Sequence, residues 1–320
     1  IDKAVFNKKT WHFAYILTDY LRMKKNLVFF AVLSLATSLF AQKTAYYKGF
    51  ELSGSASLGA NTLSFSNEAG NRYDGPGAGL GIGVAFFKNA HWGISTGLTF
   101  SNYTSFATFP NNYLFTNYTV DSDGQPLDLN FTLNKVKEVD VAYQMALPLM
   151  LHYRYYLQNG NALFVSGGVK ISFPLGSTYR VTSGSVTTTG YYPSLNAEMS
   201  NLPWLGFTTN DLTGLHGNTS FRKTYMSSFE IGYLFKEKKN TFLTLSLYGD
   251  LGLNNLRKNY TSTPLMYNYF LYAGLPGSNF VDQVKLYSIG LKISWNIHLG
   301  GGAQLPSIEH KEKQSSKPQK

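Results

Sequence analysis

Six histidines are the first residues to weigh for catalysis, because the chain has no cysteine to act as nucleophile or thiolate ligand. His12 and His310 lie near the two ends, His91 and His298 beside short turns, and His152 inside an alternating apolar–polar segment. Only His216 occupies a long loop, between Asp211 and Ser220, the residue types of a base, its orienter and a nucleophile. That chemistry needs hydrogen-bond geometry, which spacing alone does not supply, and polar loops commonly hold such residues. The expectation is therefore no catalytic residue and no cofactor. No cluster of His, Asp and Glu has metal-ligand spacing.

A different set of ionisable residues stands out by its setting. Glu51, Asp140, His152, Arg154, Lys170, Glu230, Asp250 and Lys292 each lie on the polar side of a segment whose alternate positions are apolar. The clearest is residues 139–157, VDVAYQMALPLMLHYRYYL. Val139, Val141, Tyr143, Met145, Leu147, Leu149, Leu151, Tyr153, Tyr155 and Leu157 form one set, with Asp140, Gln144, His152 and Arg154 in the other. Side chains alternate faces along a strand, so the segment has one apolar and one polar face. It is far longer than an ordinary strand of about 5–6 residues. Lipid on one side and a closed lumen on the other suits it.

Seven further segments repeat the pattern: 49–63, 77–87, 92–103, 162–175, 225–235, 241–253 and 284–299. Short links of turn-forming residues at 88–91, 158–161 and 236–240 alternate with long links at 64–76, 104–138, 176–224 and 254–283. The fold class expected is all-β: a transmembrane antiparallel up-and-down β-barrel of eight strands, with periplasmic turns, long extracellular loops and both termini periplasmic. Ten strands is the alternative, because residues 179–192 offer a hairpin around Ser183-Gly184-Ser185; lacking an apolar stripe, they are expected to extend above the membrane. Phe86, Trp92, Tyr153, Tyr155, Tyr233, Phe235 and Trp295 fall on the apolar set near the short turns, where a periplasmic aromatic belt is expected. The run Gly77-Ala78-Gly79-Leu80-Gly81-Ile82-Gly83 lacks the Lys-Ser/Thr of a phosphate loop, and no helix follows it; it reads as glycines facing a narrow lumen.

An eight-stranded barrel is just wide enough for its own side chains, so the inward charges are expected to pair and plug it. An ion path is the competing reading. The loop rings Tyr113, Phe115, Tyr118, Tyr191, Tyr192, Trp204, Tyr267, Tyr269, Phe270 and Tyr272 serve either as recognition anchors or to order the loops.

Only 14% of residues are charged, against about 25% in average globular proteins, while 16% are aromatic. The formal charge of +10 is concentrated at the two ends, so no nucleic-acid footprint is read. Residues 23–42 resemble a signal peptide: Met23-Lys24-Lys25-Asn26 is basic, 27–40 apolar, and Ala41-Gln42 supplies a small residue for cleavage. Residues 1–22 are read as a non-native upstream extension, 43–299 as the barrel and 300–320 as a disordered periplasmic tail.

The strand with Leu147-Pro148-Leu149-Met150-Leu151 at its centre, and the leader ending Phe40-Ala41-Gln42, resemble the PorT-like outer-membrane β-barrel family over about 43–299. That resemblance implies an architecture like OmpA-type small barrels, and a cell-envelope role in which some members support protein secretion. The function expected is non-enzymatic: surface recognition, envelope structure or support of a secretion complex in a Gram-negative outer membrane. The partners expected are outer-membrane lipid and lipopolysaccharide, and an envelope or secretion-complex protein, but not nucleic acid. A narrow channel is the alternative, and a surface lipid- or peptide-modifying enzyme built on His216 stands third.

Overall fold

The computed structural model describes residues 49–66, 70–157, 160–238, 240–258, 264–268 and 271–299. The stretches read as an upstream extension (1–22), a signal peptide (23–42) and a periplasmic tail (300–320) lie outside these residues, as does the start of the expected barrel segment at 43–48.

Among the described residues fifteen strands follow one another. They are β1 (Gly49–Phe65), β2 (Asn71–Asp74), β3 (Pro76–Phe87), β4 (Trp92–Thr108) and β5 (Tyr113–Val120). Next come β6 (Pro126–Tyr156), β7 (Ala162–Tyr192), β8 (Ala197–Met199), β9 (Thr209–Asp211) and β10 (His216–Asn218). The last are β11 (Thr224–Lys238), β12 (Thr241–Gly252), β13 (Met266–Asn268), β14 (Leu271–Tyr272) and β15 (Val284–Leu299). Eight of them close a ring in the order β1, β3, β4, β6, β7, β11, β12, β15, with β15 returning to β1; every pair is antiparallel. The ring is the expected eight-stranded barrel, and it leaves no open edge in the wall.

Outward positions form an apolar band. On β6 it runs from Tyr143 through Leu147, Leu149 and Leu151 to Tyr153 and Tyr155, all exposed. At about 3.3 Å per residue and a tilt of about 45°, these 13 positions cover the ~25 Å height of a barrel's lipid-facing belt. Inward glycines keep the bore narrow: a Cβ on Gly79 would lie 2.7 Å from the Ser57 and Ser101 hydroxyls, and one on Gly81 2.8 Å from Ser55. That agrees with reading the run as lumen-facing.

One expectation about the long links needs correction, and one alternative falls away. Residues 126–138 are not loop; they extend β6 to 31 residues and pair with both β5 and the far half of β7. The hairpin that 183–185 offered to the ten-strand alternative does not form, because β7 runs straight through these residues and extends beyond the apolar band as expected. The extension of β6 offers a pairing edge, which relieves β7 of the need to fold back on itself. Where the two meet, Lys135 (φ 51°) and Gly184 (φ 119°) take left-handed backbone at a bulge. One extra residue moves every later side chain to the opposite face. Leu147 and Leu149 therefore point outward, whereas Phe131 and Leu133, of the same parity, point inward and are fully buried.

Candidate functional site

The lumen is built in layers. At the short-turn end Phe87, Phe164, Leu234 and Phe242 meet with Ala90 and Ala162 in an apolar floor. Above it Arg154 on β6 donates to both carboxylate oxygens of Glu51 on β1, at 2.8 and 2.7 Å. Its guanidinium lies 3.8 Å from the centre of the Phe87 ring. His298 Nδ1 is 3.9 Å from the same carboxylate. Both members of the Glu51–Arg154 pair are buried, so each depends on the other to offset desolvation.

Two more pairs cross the bore. Lys292 on β15 donates to Glu230 on β11 at 2.9 Å, and Ser246 Oγ adds a bond to Glu230 at 2.6 Å. Lys170 on β7 donates to Asp250 on β12 at 2.9 Å, with Ser228 and Ser288 hydroxyls on the same carboxylate at 2.5 and 3.0 Å. His152 sits between Ser95 Oγ and Ser166 Oγ, at 2.6 Å from each. Among these side chains lies a polar cavity of about 110 Å³, adjoined by one of about 80 Å³, with room for several waters. Seven of the eight expected charges thus meet in this network.

Asp140 does not. It lies beyond the apolar band, beside Glu138, and neither of its oxygens has a hydrogen-bond partner among the described residues. Glu138 accepts the Tyr272 hydroxyl on one oxygen and the Leu275 N–H on the other, at 2.7 Å. Burial raises both carboxyls above the ordinary range; the neighbouring Glu138 charge pushes Asp140 further up. Two carboxyls side by side can bond to each other only by sharing a proton. Glu138 stands two residues from Asp140 on the same face of β6, a spacing visible in the sequence only once 126–138 is known to be strand.

The ceiling is apolar. Leu63, Phe65, Tyr103, Phe131, Leu133, Val136, Val181, Met226 and Leu286 face inward from the walls. Leu256, Leu265, Met266, Tyr272, Leu275 and Val281, from the link between β12 and β15, pack among them as a plug. The plug is tied down by Tyr179, whose hydroxyl donates to the Tyr272 carbonyl, and by Asn117 Nδ2, which donates to the Met266 carbonyl at 2.5 Å.

The loop rings divide. Tyr113 and Phe115 pack against Phe280 at 5.9 and 5.4 Å, and Tyr272 is buried, so these order the loops. Tyr118 is 83% and Trp204 77% exposed, which leaves them free for contact. Tyr269, Phe270 and the Tyr267 side chain lie outside the described residues. The rings expected as a belt gather at the short-turn end on the outer wall: Trp92 meets Tyr153 at 4.8 Å and Tyr233 meets Phe235 at 4.6 Å. Phe86 meets Phe50 at 5.1 Å, while Tyr155 and Trp295 stand exposed.

His216 forms no triad among the described residues. Its Nδ1 lies 3.0 Å from the Gly214 carbonyl, and Asp211 instead accepts the Thr213 N–H at 2.8 Å. No group of three or more His, Cys, Asp or Glu able to hold a metal ion occurs among the described residues.

Among solved structures, the chain is similar to Neisserial surface protein A at 12% identity, covering 78% of this chain and 97% of that one, with a TM-score of 0.33. It is similar to OprG from Pseudomonas aeruginosa at 10% identity, covering 79% and 98%, with a TM-score of 0.34. It is similar to the protease OmpT from Escherichia coli at 10% identity, covering 81% and 100%, with a TM-score of 0.28. No curated protein matches. The family described as "Outer membrane protein beta-barrel domain" matches residues 40–258, more than half of the chain. A closed eight-stranded wall, an apolar exterior and that match together assign the chain to this family of outer-membrane β-barrels.

Proposed function

We propose that the chain is a non-enzymatic outer-membrane barrel that acts through its long-loop end, by surface recognition, envelope structure or support of a secretion complex. The observation that carries this reading is the layering of the lumen. Apolar side chains close it above and below, and the charges between them are paired. Water and ions enter an apolar constriction poorly, so in this reading the bore is closed at both ends around its small polar cavities. The long-loop end, by contrast, carries a folded superstructure with exposed Leu114, Tyr118, Trp204 and Leu205. The PorT-like resemblance favours the secretion-complex role, with an envelope protein as partner.

In this reading both termini are periplasmic and the long-loop end faces the cell exterior. Because the chain has no cysteine, Asp123→Cys in the exposed β5–β6 turn can be labelled alone. A membrane-impermeant maleimide should label it on intact cells. Crosslinked pull-down from envelopes, with and without residues 176–224, should lose a specific partner on deletion. Planar-bilayer recordings should show no steady openings. Ion-selective conductance abolished by Lys170→Ala or Glu230→Ala would instead favour the channel.

A further inference from the structure

We propose that Lys135, Lys137 and Arg180 bind the phosphate groups of a phosphorylated glycolipid, lipopolysaccharide, on the outer wall of β6 and β7. The proposal rests on the reading that the long-loop end faces outward.

Pairing of β6 with β7 sets Arg180 opposite Val139, and Ser183 opposite Lys137. All three bases are exposed, and none forms an ion pair among the described residues. The acids of the same stretch, Glu138 and Asp140, are buried on the inner face. Strand alternation thus sorts the charges by face, and the outer wall keeps the positive ones. One acid, Asp211, lines the groove holding Lys135 and Lys137, and it accepts the Thr213 N–H. One acid against three bases leaves the wall positive. The bulge that exposes Lys135 holds a lysine at φ 51°, a conformation costing about 1 kcal/mol or more for a residue with a Cβ.

The order of chemistry up the wall matches an amphiphile with a sugar headgroup. Tyr143, Leu147 and Leu149 are apolar and exposed. Above them lies a groove of about 380 Å³ whose lining includes Val139, Val141, Thr178, Arg180, Thr182 and Thr213. Lys137 and Lys135 follow. Val139 lies ~13 Å and Lys137 ~20 Å along the strand from Tyr143, which places the bases at headgroup depth and beyond. That spread suits a ligand with more than one phosphate above acyl chains. A phospholipid with a single phosphate at the membrane surface would reach only the lowest base.

The test uses purified full-length protein in micelles, with a diphosphorylated, acylated glucosamine disaccharide as the probe and native mass spectrometry as the readout. Wild type should retain the probe, and K135Q/K137Q/R180Q should bind it at least about tenfold more weakly. K236Q, an exposed base at the opposite end, should bind as wild type does. Heat-modifiable gel mobility confirms that each variant is folded. The dephosphorylated disaccharide should bind wild type no better than the triple variant. Equal binding of the probe by wild type and triple variant overturns the site, as does equal binding of the dephosphorylated form. Full competition by inorganic pyrophosphate at the probe's own concentration overturns the assignment to a lipid. Binding in micelles does not depend on which way the chain is inserted, so these outcomes stand apart from the Asp123→Cys labelling that decides orientation.

Discussion

The two halves of β6 obey opposite rules. Between Tyr143 and Tyr155 the apolar side chains face out and the inner positions hold His152 and Arg154. Between Leu127 and Leu133 the apolar side chains face in and the outer positions are polar. The backbone geometry is the same in both. What changes is the solvent on the outer side, lipid in one case and water in the other. Where the outside is oil, the inside can hold paired charge. Where the outside is water, the inside must be oil, as in any soluble core. The bulge at Lys135 is the joint at which one strand passes from one rule to the other.

The comparison can be broken most severely in the lumen. Glu51→Ala leaves Arg154 buried without its carboxylate and should cost about 3–5 kcal/mol in urea unfolding of the bilayer-inserted barrel. The double variant with Arg154→Ala should recover much of that loss; no recovery would mean that the pair does not act as a unit. In the upper half, Phe131→Ala should cost a similar or slightly smaller amount, about 3–4 kcal/mol. The loss should be local, with new protease cuts at the long-loop end and unchanged heat-modifiable mobility. If the whole barrel weakens as much as its top, the two halves are one cooperative unit and the contrast fails.

A third prediction uses protons. Glu138 and Asp140 are raised in the fold above their ordinary values of 4.5 and 3.8. The folded state therefore binds more protons than the unfolded one above those values. Stability of the plug is full below them and is lost as pH rises through the folded-state values. Hydrogen exchange at 271–275 should quicken with rising pH beyond its intrinsic dependence, and Asp140→Asn should remove the excess. A plug indifferent to pH in wild type would show that the two carboxyls are not buried together. The smallest effect is expected at Tyr118→Ser, within about 0.5 kcal/mol of wild type. A loss of partner capture with that variant would mark the exposed ring as a contact, and unchanged capture would remove it from the recognition surface.

Some of this was open to reading in the chain itself. Alternation at 139–157 and in the seven other segments announced eight strands, because one lipid-facing wall demands an unbroken stripe. The inward charges were visible as the interruptions of that stripe's complement. The upper half was also written down, in Leu127, Leu129, Phe131 and Leu133, but its stripe is shorter and lies on the other side of a bulge. Period alone cannot tell which face of such a stripe meets water. Asp140 shares the parity of the charge network but not its depth, and period carries only parity.

By itself, then, the order of residues determined that the chain is a β-barrel and which side chains line it between the apolar stripes, since a two-residue period and alternating link lengths are local properties. Only the tertiary structure decided which charges meet. Glu51 and Arg154 are 103 residues apart and come together because the ring closes. It also decided that the link after β12 folds inward as a plug. That outcome depends on the apolar mouth left open when β4, β6 and β7 outgrow the membrane, and no single segment carries that information.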